Sequence, residues 1–159
     1  MSALDEEIQV RAMEIDDLPS VFHLGEQLFT PREFPNLYRT WDPFEVTGLF
    51  HSDGEFCFVA DRGAALAGFV LGTVIEKARS AWTYGHLLWL GVAPACQRMG
   101  VGDRLFEQFR TGAEAHGARM LMIDTQADNA PALAFFRRHG FANPTEHVYL
   151  TLNLQLWEG

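Results

Sequence analysis

Two cysteines, few basic residues and no long apolar run set the first limits on this 159-residue chain. Cys57 and Cys96 lack metal-ligand spacing and can close at most one disulfide, so neither a metal site nor a disulfide scaffold is expected and both thiols read as reduced and structural. The longest apolar stretch, Ala64 to Ile75, is broken by Gly68 and Gly72 and is too short to cross a bilayer as a helix. The first residues, Met-Ser-Ala-Leu-Asp-Glu-Glu, are acidic where a secretory leader is basic and then apolar; the expectation is a cytoplasmic protein with no membrane partner. Internal repeats and low-complexity segments are missing too, and the length fits one domain over residues 1–159. With 12 Lys and Arg against 21 Asp and Glu, the net charge of −9 speaks against a nucleic-acid partner, because phosphate backbones attract basic surfaces.

The acids are unevenly placed. Residues 1–60 hold 12 of them against three arginines, whereas residues 61–159 hold nine acids and nine bases. An acidic half beside a neutral, arginine-containing half suits two ligands of different charge; a solvated acidic surface is the simpler reading.

Periodicity gives the elements. Ile8, Val10 and Ala12 alternate as a first strand, and Asp16 is placed to cap a helix running to about Phe29. Residues 30–41 mix Pro31 and Pro35 with Phe34, Tyr38 and Trp41, and read as a packed loop or short helix. Asp42-Pro43-Phe44-Glu45 starts a second helix, Asp42 capping and Glu45 reaching back as in a capping box, with its end near His51. Phe56–Ala60 and Ala65–Ile75 form a hairpin about Asp61-Arg62-Gly63, and Tyr84–Val92 is a further strand. A helix from Val101 to His116 stops at Gly117, Met120–Thr125 is a strand, Asn129 caps a helix ending at Gly140, and His147–Leu154 alternates as a last strand.

Between the fourth of these strands and the helix at Val101 stands Gln97-Arg98-Met99-Gly100-Val101-Gly102. Glycine there allows positive φ and close approach, and the free N–H groups of a helix start, with its dipole, attract a phosphate. A Walker loop is excluded because Asp103 and Arg104 follow Gly102, and a dinucleotide fingerprint, hence a nucleotide-binding oxidoreductase, is weakened because Leu105 stands where the third glycine belongs.

This hexapeptide resembles the GNAT superfamily signature, Gln/Arg-x-x-Gly-x-Gly/Ala after a strand and before a helix. Leu90-Gly91-Val92-Ala93-Pro94 is similar to that family's preceding strand end, and Asn129, Ala132, Phe135-Phe136 and Gly140-Phe141 to its second conserved helix. The resemblance spans nearly the whole chain. It implies an α/β fold: a mixed, mostly antiparallel sheet of six or seven strands flanked by about four helices, with two central strands splayed apart to admit acetyl-coenzyme A. It further implies that backbone amides from Arg98 through Met99, Gly100, Val101 and Gly102 to Asp103, with Gln97 at the head of the turn, bind the pyrophosphate. Leu90, Gly91 and Val92 would pair with the pantetheine arm, Asn129 and Phe136 would line its other side, and Arg137 or Arg138 would meet the phosphates.

Attack on a thioester needs a neutral amine, whereas an alkyl amine with a pKa of about 10.4 is protonated at neutral pH. His86 is the first candidate base. It lies on the strand entering the phosphate turn, has the sequence parity of Leu88, Leu90 and Val92, and falls where histone-acetylating members of the family resemble one another in carrying a basic glutamate. A strand histidine satisfied by a neighbour is the structural alternative. Asp124 is the second candidate, at a position where the ribosomal-protein-acetylating branch has glutamate. Phe136 departs from the family's tyrosine general acid and cannot donate a proton, which leaves Tyr84, Tyr149 or water. Glu26, Phe29, Tyr38, Trp41 and Trp82 are candidate walls for a cationic acceptor, set against the commoner reading of an aromatic core patch. The implied activity is N-acetyl transfer from acetyl-coenzyme A to a primary amine, small molecule or peptide, in a monomer or homodimer; the alternative is a degenerate acyl-coenzyme A sensor of the same fold.

Overall fold

The computed structural model describes residues 6–29, 40–76 and 82–156. Tyr38 lies outside them. Met1–Asp124 and Thr125–Gly159 form two compact units. The first holds five strands in sequence order, β1 (Ile8–Ala12), β2 (Cys57–Arg62), β3 (Ala65–Glu76), β4 (Thr83–Val92) and β5 (Met120–Met122), with helices α1 (Leu18–Leu28), α2 (Pro43–Asp53) and α3 (Val101–Ala115). The second holds α4 (Ala130–Arg138).

β1 to β4 pair antiparallel and β5 joins β4 in parallel. The expected mixed, mostly antiparallel sheet is present, with five strands where six or seven were expected. Residues 141–156 contain no strand, although Val148, Leu150, Leu152 and Leu154 alternate there; all four are exposed. Alternation supplies one apolar face, but a strand also needs a ladder partner for its backbone. β5 likewise ends at Met122 rather than Thr125.

The two faces of the sheet carry different layers. Cys57, Val59, Phe69, Leu71 and Trp89 join Val21 and Leu24 of α1 and Val46 of α2 in one apolar cluster. On the opposite face the close approach of α3 leaves no room for side chains: a Cβ at Gly68 would meet Leu105 and Val101, one at Gly72 would meet Phe109, and one at Gly85 would meet Ala113 and Leu121. Phe106 and Phe109 are fully buried.

Local signals explain the ends. The first helix is preceded by a 3-10 turn, Ile15–Asp17, so Asp16 is not its cap; Asp17 instead accepts the Glu14 N–H at 2.7 Å. Asp42 caps α2 by accepting the Glu45 N–H at 2.8 Å. Only half of the expected capping box forms, since the Glu45 carboxylate turns to the sheet and accepts from Trp89 Nε1 at 3.0 Å. Gly117, at φ +89°, ends α3, and Asn129 caps α4 by accepting the Ala132 N–H at 3.3 Å.

Arg11 pins the outer edge of the sheet. Its guanidinium holds both oxygens of Asp17 at 2.8 Å and Asp61 Oδ2 at 2.7 Å, tying β1 to β2 and to the turn before α1. These hydrogen bonds raise the Arg11 pKa and hold the Asp17 carboxyl below its ordinary range.

Candidate active site

β4 is the strand on which the site is built. Its pairing with β5 covers Tyr84, Gly85 and His86 and stops there, while the strand itself runs on to Val92. On the β3 side the register jumps between Leu71↔Trp89 and Gly72↔Leu87, which leaves Leu88 as a β-bulge. A bulge bends its strand and sharpens the local twist, and this one comes two residues after the last β4–β5 pair.

The bulge also decides which way His86 faces. Thr73, its cross-strand partner, shares the parity of Phe69 and Leu71, whose side chains belong to the cluster under α1 and α2. Leu90 and Val92 pair with Val70 and Gly68, on the α3 face. His86 and Leu90 therefore lie on opposite faces, contrary to the shared parity expected from sequence, because one inserted residue in the β3–β4 register inverts the alternation. The backbone direction follows from one bond: Ala93 N–H reaches the Ala67 carbonyl on the β3 side at 2.8 Å. By alternation, the N–H and C=O groups of Leu90 and Val92 point to the other edge of β4, the one β5 leaves unpaired beyond His86.

At the point where the two strands part, His86 Nε2 lies 2.9 Å from Asp124 Oδ1. The His86 side chain is 15% exposed and that of Asp124 36%, so the pair is reachable from solvent without being bathed in it. An ionised carboxylate only accepts, so in this contact His86 Nε2 carries a proton and donates it to Asp124. The two candidates drawn from separate strands thus form one unit.

The turn after β4 fits a pyrophosphate. Arg98 and Gly100 have φ of +66° and +77°, and Gly100, the N-cap of α3, has no side chain with which to cap its first amides. The first helical bond runs from Arg104 N–H to the Gly100 carbonyl, so the amides of Val101, Gly102 and Asp103 have no partner within the helix. A Cβ at Gly100 would meet nothing within 4 Å, which leaves the space before these amides open. Gln97, Arg98 and Met99 are exposed, and Val101 is buried against the sheet.

The candidate acceptor walls are scattered. Trp41 stacks on Phe69 at 5.4 Å and meets Trp89 edge-on at 5.0 Å, with its indole N–H on the Phe22 carbonyl at 2.9 Å; Phe29 lies 4.9 Å from Trp89. Both rings pack against the core cluster while remaining half-buried. Glu26 is exposed on α1, and Trp82 is exposed ahead of β4, about 13 Å along the strand from His86. In the second unit Asn129 spans its turn, and Phe136 is buried edge-on to Phe135 at 5.1 Å and Phe141 at 5.3 Å. Sequence reasoning missed Thr73 and Asp53. Thr73 lies opposite His86, and its hydroxyl donates to Asp53 Oδ1 at 2.7 Å; only the strand register could have found them. Cys57 is buried and its thiol is pushed up to about 11, which removes it as a nucleophile.

Known proteins resemble this chain in sequence or in fold. The mycothiol acetyltransferase of Jonesia denitrificans is 38% identical over 90 residues, 57% of this chain and 27% of that protein, so the chain spans about a quarter of the relative's length. The [ribosomal protein bS18]-alanine N-acetyltransferase of Escherichia coli is 23% identical over 136 residues, covering 86% of this chain and 82% of the relative. Among solved structures, AAC(6')-Iy in complex with the bisubstrate analog CoA-S-monomethyl-acetylneamine superposes with a TM-score of 0.72 at 16% identity, over 92% of this chain and 99% of that one. Residues 18–141 match the profile of the acetyltransferase (GNAT) family, and the chain belongs to that family.

Proposed function

We propose that the protein transfers an acetyl group from acetyl-coenzyme A to a primary amine, with His86 as general base and Asp124 as the group that orients it. The observation that carries this reading is the 2.9 Å His86–Asp124 contact, set where β4 and β5 part and beside the unpaired edge of β4. When bound, the cofactor supplies the activated thioester. The first-turn amides of α3, from Val101 to Asp103, would hold its pyrophosphate, and the outward backbone groups of Leu90 and Val92 would bind its amide-bearing arm as a neighbouring strand would. Asn129 and Phe136 are assigned to the same cofactor, and Glu26, Phe29, Tyr38, Trp41 and Trp82 to the acceptor, on family resemblance.

His86 takes a proton from the acceptor amine, while Asp124 orients the ring through Nε2 and stabilises the imidazolium that forms. Holding amine and thioester together supplies much of the remaining acceleration. Phe136 has no proton to give, and a thiol, with an ordinary pKa of about 8.5, leaves without a strong acid. A mycothiol acetyltransferase and a ribosomal-protein alanine N-acetyltransferase stand among the relatives, and the acceptor is named no more finely than as an amine.

The test is thiol release from acetyl-coenzyme A with polyamines, amino acids, aminoglycosides and N-terminal or lysine peptides. One acceptor class should turn over, and His86→Ala should lower its kcat/KM by about 10²- to 10⁴-fold at neutral pH, the usual contribution of a general base. That loss should shrink as rising pH deprotonates the amine itself. Cofactor binding without turnover of any amine would favour the sensor reading that Phe136 suggests.

A further inference from the structure

The acid-rich half of the chain contributes one carboxylate directly across from the dyad. Thr73 and His86 are cross-strand partners, which sets their Cβ atoms about 5 Å apart on the face under α1 and α2. Thr73 Oγ1 donates to Asp53 Oδ1 at 2.7 Å, so the last residue of α2 is held over that same stretch of sheet. Its second oxygen is differently placed. Ser52 Oγ lies 2.7 Å from Asp53 Oδ2 but also 2.9 Å from the Gly48 carbonyl, and its single proton serves one of them at a time. The nearby Cys57 thiol is protonated, and among the described residues Asp53 is in no ion pair. Asp53 thus has neutral hydrogen-bond partners only, Thr73 at one oxygen and at the other Ser52, whose single proton is shared with the Gly48 carbonyl, and among the described residues no cation offsets its charge beside the strand pair that carries His86. Glu45, the other acid of α2 turned to the sheet, stands two turns earlier, about 12 Å along the helix, with Oε1 bound by Trp89.

We propose that Asp53 is a specificity-determining residue that binds a second cationic group of the acceptor, so that the site prefers a diamine to a monoamine of equal length. The assignment rests on the reading of His86 as base. A purely structural role, stapling α2 to β3, predicts different behaviour: Asp53→Asn keeps an oxygen for the Thr73 hydroxyl and removes only the charge.

Calorimetric binding of putrescine and n-butylamine to the full chain saturated with coenzyme A, together with kcat/KM for both amines, separates the cases. Wild-type protein should bind putrescine at least about tenfold more tightly than n-butylamine, the ratio one charge-assisted contact supplies. Asp53→Asn should erase that ratio with n-butylamine binding and Tm unchanged. His86→Ala should slow both amines alike and leave the binding ratio intact; a failure of that variant to slow turnover removes the base and not the anchor. The assignment is overturned if wild-type protein shows no preference or binds neither amine, if Asp53→Asn keeps the preference, or if it weakens both amines equally.

Discussion

The two halves of β4 show how one strand serves two purposes. From Thr83 to His86 it is an interior strand, with β3 on one side and β5 on the other, and Gly85 brings it against Leu121 and Ala113. From Leu87 to Val92 it keeps β3 and runs beyond the last β4–β5 ladder pair, His86↔Met122. The halves differ in composition, Thr-Tyr-Gly-His against Leu-Leu-Trp-Leu-Gly-Val, and between them stands one extra residue, Leu88, a bulge that leaves His86 on the face of α1 and α2 while Leu90 and Val92 face α3.

Removing that residue should break the contrast outright. Deleting Leu88 leaves every β3 pairing in register, since Gly72↔Leu87 and Leu71↔Trp89 become consecutive. The strand then straightens and continues its ladder with the segment after Met122. Hydrogen exchange should show the Leu90 and Val92 amides newly protected in the free protein, and affinity for coenzyme A should fall by at least about tenfold, since each lost pair of backbone bonds is worth roughly 1–2 kcal/mol. Unprotected amides and unchanged affinity would mean that the bulge does not part the strands.

A smaller effect is expected from crowding the paired half. A Cβ at Gly85 would stand 2.8 Å from Leu121 Cδ2 and 3.2 Å from the Ala113 Cβ, which belongs to helix α3 and has no rotamer to yield. Gly85→Val should cost about 1–3 kcal/mol by overpacking and should lower acetyl transfer further by moving β5, and with it Asp124, off His86. Denaturant melts and the kcat/KM ratio of Asp124→Asn made in both backgrounds would check this, because Asp124→Asn should matter less once the pair is already apart.

Much of this architecture was legible. Gly100 and Gly117, Asp42 and Asn129 mark helix ends because each residue does something local: it adopts positive φ or accepts the first free amide. The glycine turn ahead of α3 was legible for the same reason, and His86 and Asp124 were singled out separately as candidate residue types. Their union was not, because it depends on the parallel register of β4 and β5. The bulge has no composition of its own, so side-chain parity across Leu88 was misread. Glu45 looked like half of a capping box and instead bonds Trp89, a tertiary contact that overrides a local one. Trp41 and Phe29 carry the right chemistry for a cation wall, yet they pack on Phe69 and Trp89. The stripe at Val148 to Leu154 shows the converse, a strand pattern without a partner.

The outer edge of the sheet offers a change that should touch neither half of β4. Asp17 receives two bonds from Arg11, which lower its pKa relative to the unfolded chain. A carboxyl depressed in this way adds stability that is fully present above its unfolded pKa of about 4. The contribution is lost as pH falls through the lower folded value, where both states become protonated. Asp17→Asn should therefore cost about 1 kcal/mol between pH 6 and 8, the scale of a partly exposed bidentate pair. Its melting curve should converge on that of the wild type as the pH is lowered below about 4. Acetyl transfer at 25 °C should be unchanged, since Arg11, Asp17 and Asp61 lie on β1, the turn before α1 and β2. A loss of activity larger than the loss of folded protein would mean that the path of α1, set by this pair, reaches the acceptor side of His86.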